Sequence, residues 1–204
     1  MKKINEVYRR TARDIKILQY GEGNFLRGFA DYMIDAANEK GAFDGDIAIV
    51  KPIASGSLER FCAQDNLYTV SLRGKVNGET YTENRVVTCV QKALDPYCEY
   101  AEYAALARLD SLQFIISNTT EAGIVYDPKD RVEKTPPATF PGKLTKFLFD
   151  RYAFFGGSAQ SGLVMLPVEL IDNNGAKLRE CVLRYIDLWE LGDGFKRWVC
   201  ECNT

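Results

Sequence analysis

The 204-residue sequence contains no histidine. A Ser-His-Asp or Cys-His centre therefore cannot be assembled from this chain alone. Any general acid would be a lysine, a tyrosine, a carboxyl group, water, or a residue outside the chain. Cysteine is also thinly used. Only Cys200 and Cys202 are close in sequence, while Cys62, Cys89, Cys98 and Cys181 are scattered. That spacing does not make a disulfide scaffold, and without histidine or a second close pair it points away from zinc. No metal is expected. No apolar run approaches the length of a membrane span. The opening Met-Lys-Lys-Ile-Asn-Glu-Val-Tyr-Arg-Arg has no apolar signal core. The expectation is a cytoplasmic protein with no membrane partner. Nor is there a basic stripe: 26 Lys and Arg are mixed with 28 Asp and Glu, for a net charge of −2. Nucleic acid is not an expected partner.

What is present is ordered alternation. Ile15–Tyr20 reads as a first buried strand. Phe25, Leu26, Phe29, Ala30, Met33, Ile34 and Ala37 recur at helical spacing and predict a helix over 24–39. Gly41 closes it, Asp44-Gly45 turns the chain, and Ile47–Val50 is a short continuous apolar strand suited to the centre of a parallel sheet. Residues 51–66 read as a loop with a short helix. Tyr68–Arg73 alternates, Asn77-Gly78 is a hairpin turn, and Thr80–Arg85 returns, with Val86–Val90 extended. Tyr97–Leu109 predicts a helix, with Tyr100, Tyr103, Ala104 and Leu106 toward the sheet. Leu112–Ser117 is another strand. The polar, proline-rich stretch 126–140 is a long loop of a kind that often carries function. A helix follows from Pro141, then a strand at Leu163–Leu166. A long helix is marked by Leu178, Cys181, Val182, Tyr185, Ile186 and Trp189. Together these imply an α/β fold: a Rossmann-like, doubly wound, mostly parallel sheet with an antiparallel hairpin near 68–85.

Ligands of such sheets bind beyond the carboxyl ends of the strands. Loops 21–24, 117–123 and 167–175 sit there. In the stretch Ile17-Leu18-Gln19-Tyr20-Gly21-Glu22-Gly23-Asn24-Phe25-Leu26-Arg27-Gly28, a strand breaks at a Gly-x-Gly turn and a helix starts at once. Gly21 permits the turn, and Gly23 lets backbone approach phosphate oxygens at a helix N-terminus. The usual third glycine is replaced by Leu26, and Gly28 comes two residues late. The alternative is a plain βα turn. Arg27, one turn into the helix, faces either phosphate or solvent. After the second strand, where an acid commonly bonds a ribose 2′-hydroxyl, stands Lys51. It either accommodates a 2′-phosphate or lies in solvent, so NAD and NADP are not separated there. Asn118, Thr119, Thr120 and Glu121 follow a buried strand and can line a nicotinamide ribose or cap a loop. Asn174, before Gly175, can donate to a substrate oxygen; Asp172 or Asn173 can serve as helix cap.

In this order the segments Leu18–Arg27, Asp65-Asn66-Leu67-Tyr68-Thr69, Ser117-Asn118-Thr119-Thr120-Glu121-Ala122-Gly123-Ile124, Pro141-Gly142-Lys143-Leu144-Thr145 and Glu169–Gly175 resemble the mannitol dehydrogenase family of long-chain polyol dehydrogenases. The resemblance covers nearly the whole chain. It implies metal-free hydride transfer between a polyol or sugar acid and NAD(H). Residues 17–28 would hold NAD, Thr119, Thr120 and Glu121 would lie by the nicotinamide, and Asn174 would help polarise the reacting oxygen. The family's catalytic lysine, with a nearby Asn and His, lies in a helical C-terminal domain. The expectation is thus that residues 1–204 form the N-terminal NAD(P)-binding domain without that second domain. On its own it would bind NAD(H) weakly, turn over little, and self-associate through the face the second domain would cover. A non-catalytic dinucleotide-binding module is the rival reading.

Overall fold

The computed structural model describes residues 3–204. In chain order its elements are α1 (Ile4–Val7), β1 (Ile15–Tyr20), α2 (Asn24–Gly28), α3 (Ala30–Glu39), β2 (Asp46–Val50), α4 (Glu59–Cys62), β3 (Tyr68–Val76), β4 (Glu79–Val87), β5 (Val90–Leu94), α5 (Tyr100–Ala105), β6 (Phe114–Ser117), α6 (Phe140–Phe154), β7 (Val164–Pro167), α7 (Asn174–Leu188) and α8 (Asp193–Cys202). Five strands form one sheet in the order β5-β2-β1-β6-β7, every pair parallel. The chain winds outward from β1 in one direction, then returns and winds outward in the other. The order therefore reverses between β1 and β6, where a doubly wound sheet opens a crevice.

The central strands are largely apolar because both faces are covered; Gln19 in β1, Asp46 in β2 and Ser117 in β6 are buried polar exceptions. Leu18, Tyr20, Ala48, Val50 and Ile115 face one layer, with α5, α6, α7 and α8 above them. Ile17, Ile47, Ile49 and Ile116 face the other, with Leu26, Val87, Cys89 and Val90. Ile15 shares the face of Leu18 because the register shifts between Ile15 and Ile17. Each Leu or Ile so buried is worth about 1.5–3 kcal/mol relative to exposure.

Several elements depart from the sequence expectation. The helix over 24–39 is broken at Phe29, whose backbone (φ −114°, ψ −78°) leaves helical geometry. It also turns its polar side inward: Asp31, Asp35 and Asn38 are buried, whereas Phe25, Phe29 and Met33 are exposed. Phe25 and Phe29 stack at 5.5 Å. The extended segment ends in a true sheet strand, β5, hidden in sequence by Gln91 and Lys92. The helix expected over 97–109 is shorter, α5 plus a 3-10 turn at Leu106–Arg108. Helix α8 was not expected; Phe195, Trp198 and Val199 are its buried face.

The hairpin β3–β4 is a separate two-stranded sheet. Asn77 and Gly78 both have positive φ (53° and 85°), as a type I′ turn requires. Its outer half has no core. Polar groups hold its inner half to α3: Arg85 bonds Asp35 at 2.8 Å and also Glu39, Tyr32 donates to Glu83 at 3.0 Å, and the Tyr68 hydroxyl donates to Asp31 at 2.7 Å.

Behind the sheet, Arg151 is almost fully buried. Its guanidinium donates to the carbonyls of Ser161 (2.7 Å), Ala107 (3.1 Å), Leu109 (2.7 Å) and Leu112 (3.2 Å). Burial lowers its pKa to about 10. It closes the turn before β6 and the turn before β7 with one side chain. Arg151→Ala strands several buried carbonyls and should lower the unfolding free energy by more than about 3 kcal/mol. Urea unfolding checks this as a lower midpoint at unchanged slope; Arg151→Lys should recover less than half.

Candidate dinucleotide site at the strand-order reversal

The carboxyl ends of β1 and β6 meet at Gly21. Its N–H donates to Val50 O at 3.1 Å, and Asn118 N–H donates to Tyr20 O at 3.0 Å. Gly21 has φ +122°, and a Cβ there would lie 2.7 Å from Asn118 O. Glycine is obligatory on both counts. Gly23 differs: its φ is −67°, and a Cβ would meet nothing within 4 Å. Nothing in the protein itself forbids a side chain there, so the open space is room for an incoming group.

Gly23 caps α2 without any side-chain cap. The first helical bond is Arg27 N–H to Gly23 O at 3.3 Å. The N–H groups of Asn24, Phe25 and Leu26 thus have no partner among the described residues. They form a donor end suited to an anion. Leu26, in the place of the third glycine, is buried against Ile17, Ile47 and Ile49. Gly28 has open space around it and is not required for helix–strand contact. Ile17, Leu18 and Tyr20 send their side chains into the core, so only their backbone reaches the site. Tyr20 ends on the Tyr103 hydroxyl at 2.6 Å. Gln19 is buried and donates through Nε2 to Gly21 O at 3.0 Å, while its Oε1 has no partner.

A cavity lies on each side of the turn. One, of about 450 Å³, is lined by Asn118, Thr120, Glu121, Ala122 and Leu170. The other, of about 260 Å³, is lined by Glu22, Arg27, Ser57, Leu58, Arg60, Phe61, Gln64 and Tyr68. Asn24 accepts a hydrogen bond from Arg27, whose guanidinium also lies 5.5 Å from the Tyr68 ring centroid.

Beyond Gln19 and Tyr20, the predicted site residues Lys51, Asn118, Thr119 and Asn174 are also engaged within the protein; the Asn118 amide donates to Val168 O at 2.9 Å. Lys51 is buried, neither in solvent nor free for a 2′-phosphate. Its Nζ bonds Asp95 (2.5 Å), Gly56 O (2.9 Å) and Ala54 O (3.2 Å). A charge at a strand end is affordable there because three oxygens converge on it. Thr119 turns inward to Glu169, leaving Thr120 (φ +72°) and Glu121 at the cavity. The Asn174 amide donates to Pro167 O (2.8 Å) and Glu169 O (3.1 Å), and its Oδ1 accepts from Gly175 N–H (2.7 Å). It locks its own loop rather than reaching outward.

Glu169, two residues beyond β7, shows no local sign of a role in the sequence. Its buried carboxylate accepts from Thr119 N–H (3.1 Å), Thr119 Oγ1 (3.0 Å) and Ser117 Oγ (3.2 Å). It ties the loop after β7 to the loop after β6. The long loop 126–140 is pinned away from the cavities: buried Asp130 accepts from Ala138 N–H (2.8 Å) and Thr139 N–H (2.9 Å). Lys143, at the start of α6, is also buried, its Nζ donating to Ala138 O at 2.9 Å; burial pushes its pKa down to about 8.

Among the described residues no cluster of acids and cysteines is placed to hold a metal, and no helix is long and apolar enough to cross a membrane. An obligate glycine, an open glycine, an uncapped helix start and flanking cavities together fit a dinucleotide.

Comparison with known proteins agrees with this geometry. The chain is 51% identical over 189 residues to altronate oxidoreductase of Bacillus subtilis, covering 93% of the chain and 39% of that protein. It is 43% identical over 202 residues to altronate oxidoreductase of Phocaeicola vulgatus, covering 98% and 42%. The chain thus spans about two fifths of the length of these curated relatives. In fold it is similar to Pseudomonas fluorescens mannitol 2-dehydrogenase, solved as a ternary complex with NAD and D-mannitol. The TM-score there is 0.77 at 19% identity, over 97% of this chain and 42% of that one. A D-sorbitol dehydrogenase in substrate-free form gives 0.72 at 19% identity, over 93% and 41%. The model of the mannitol dehydrogenase Rossmann domain matches residues 15–204, which takes in the whole sheet and both cavities. From β1 to the last helix, the chain belongs to the mannitol dehydrogenase family, as its Rossmann domain.

Proposed function

We propose that this chain is the NAD-binding part of an oxidoreductase that interconverts D-altronate and D-tagaturonate. The observation that carries the cofactor reading is the contrast between Gly21, closed by the protein, and Gly23, open beside three unpartnered N–H groups. The pyrophosphate fits against Gly23 and the start of α2. The nicotinamide half fits the cavity of Asn118, Thr120 and Glu121, and the adenosine half fits that of Arg27, Ser57 and Arg60. When bound, NAD supplies the hydride acceptor. The chain's own groups bind and orient. Glu169 fixes Thr119, and Thr119 fixes the rim on which Thr120 and Glu121 stand. Asn174 supports the reaction as a positioning residue, through the loop it locks. Glu121 is free to bond a sugar hydroxyl.

The substrate reading rests on the two altronate oxidoreductases, with identities of 51% and 43% over most of the chain. Another polyol or sugar acid, such as mannitol or fructuronate, is the alternative within the family. The catalytic lysine belongs to a C-terminal helical domain outside residues 1–204. We assign the protein to the cytoplasm, in keeping with six free thiols. The exposed Phe25, Phe29 and Met33 give the chain a surface for self-association.

Gly23→Ala should leave the melting temperature unchanged yet weaken NADH binding about tenfold or more by calorimetry, because only a ligand meets the added methyl. Unaltered affinity would place the pyrophosphate elsewhere. Gly21→Ala should lose both binding and about 2 kcal/mol of stability, since its φ and the Asn118 carbonyl both oppose a side chain. Lys51→Met should lower stability while leaving the ratio of NADH to NADPH affinity unchanged. A shift in that ratio would show Lys51 reading the ribose.

A further inference from the structure

We propose that Leu170 is the platform on which the nicotinamide ring of the cofactor rests. The proposal rests on the reading that the cavity beside Gly21 takes the nicotinamide half. Leu170 is 85% exposed, the most exposed large apolar side chain among the described residues. A lone exposed leucine needs no explanation in itself. Its setting does, because the backbone is fixed on both sides of it. Glu169 is buried, and its carboxylate accepts from Ser117 and Thr119. Glu169 O accepts from Ile171 N–H at 2.8 Å, which closes a three-residue turn with Leu170 at its centre. The same carbonyl accepts from the Asn174 amide at 3.1 Å. Ile171 packs against the core. The chain is thus pinned immediately before and after a side chain that it leaves in the open.

The side chain lines the cavity of about 450 Å³ together with Asn118, Thr120, Glu121 and Ala122. Those four belong to the loop after β6. Leu170 alone comes from the loop after β7, and it is the one large apolar group of the lining. The two strands lie in register, with Ser117 beside Pro167, so their loops leave the sheet as neighbouring walls. The β6 wall begins at the dinucleotide turn itself, since Asn118 N–H donates to Tyr20 O and Asn118 O is the atom that crowds Gly21. A nicotinamide ring has two apolar faces and one polar substituent, its carboxamide. The cavity is divided in the same way. Thr120 is exposed on the β6 wall, with a hydroxyl to offer the carboxamide. Asn118 gives its amide to Val168 O, so the end it has left is the acceptor Oδ1, which suits the carboxamide N–H. The Leu170 methyl groups cover a ring face, as the apolar part of a cofactor pocket does. One face of the ring is then closed by Leu170 and the other is left to the substrate.

The test uses the 204-residue chain and two probes, NADH and ADP-ribose, which lacks the nicotinamide. By calorimetry Leu170→Ser should weaken NADH binding about fivefold, the effect of uncovering part of one leucine. Its affinity for ADP-ribose should equal that of the wild type. Leu170→Met keeps an apolar side chain of similar volume and should bind NADH within about twofold of the wild type. Both variants should melt with the wild type, because the side chain they replace is exposed. In the wild-type complex the Leu170 methyl groups should show nuclear Overhauser contacts to the nicotinamide ring protons. An equal loss of affinity for both probes would overturn the role of Leu170, as would methyl contacts to the adenine. Unaltered NADH binding by Leu170→Ser would also overturn it and would leave the side chain as a contact for another domain. Failure of the wild type to bind either probe would remove the cofactor reading itself, and this role with it.

Discussion

Between β1 and β6 there is no room for one carbon atom. The Cα of Gly21 sits so close to the Asn118 carbonyl that a methyl group would overlap it. That approach lets two neighbouring strands end side by side while their chains leave in opposite directions. The loop after β1 turns into a helix on one face of the sheet. The loop after β6 runs toward the other edge. The two cavities, the uncapped helix start and the rim at Thr120 follow from that divergence. A larger residue would push the strand ends apart and displace all three.

Around this point the protein uses buried polar side chains as fasteners for backbone. Gln19 holds Gly21, Glu169 holds Thr119, Lys51 holds Ala54 and Gly56, and Arg151 holds four carbonyls. Glu169, Lys51 and Arg151 are short of exposed surface and rich in partners, the condition under which a buried charge is tolerated. The loops at the carboxyl ends need such fasteners because they lack strand ladders to satisfy their own groups. Asn174 belongs to the same class: its amide is spent on the loop that it shapes.

Much of the fold was legible. β1, β2 and β6 are largely apolar because both their faces are covered, β7 is an apolar run although Val164 and Leu166 are exposed at the sheet's edge, and the Asn77-Gly78 turn announced its hairpin. β5 was harder: at the sheet's edge, Gln91 and Lys92 interrupt the pattern. α8 carried a signal that went unread, with Phe195, Trp198 and Val199 at helical spacing. In the site, the glycines were legible because their role is local. Lys51 was not, because its partner Asp95 is 44 residues away and a lone lysine reads as solvated. Asp31 was obscured for a related reason. On a helix whose apolar residues suggest an inward face, the acid is inside and the phenylalanines are outside. Only the hairpin, folding back from residue 68, makes that arrangement reasonable.

The hairpin itself attaches to the body by a different kind of cohesion from the rest. The sheet's layers are held by apolar contact, which sulfate-type salts strengthen. The hairpin's inner half is clipped to α3 by Arg85, Asp35, Glu39, Tyr32 and Glu83, several of them at or near the surface, where dissolved ions screen charge. One molecule thus contains a body that salt tightens and a flap that salt loosens. The seam between them runs along α3, one turn from the helix that carries the dinucleotide turn.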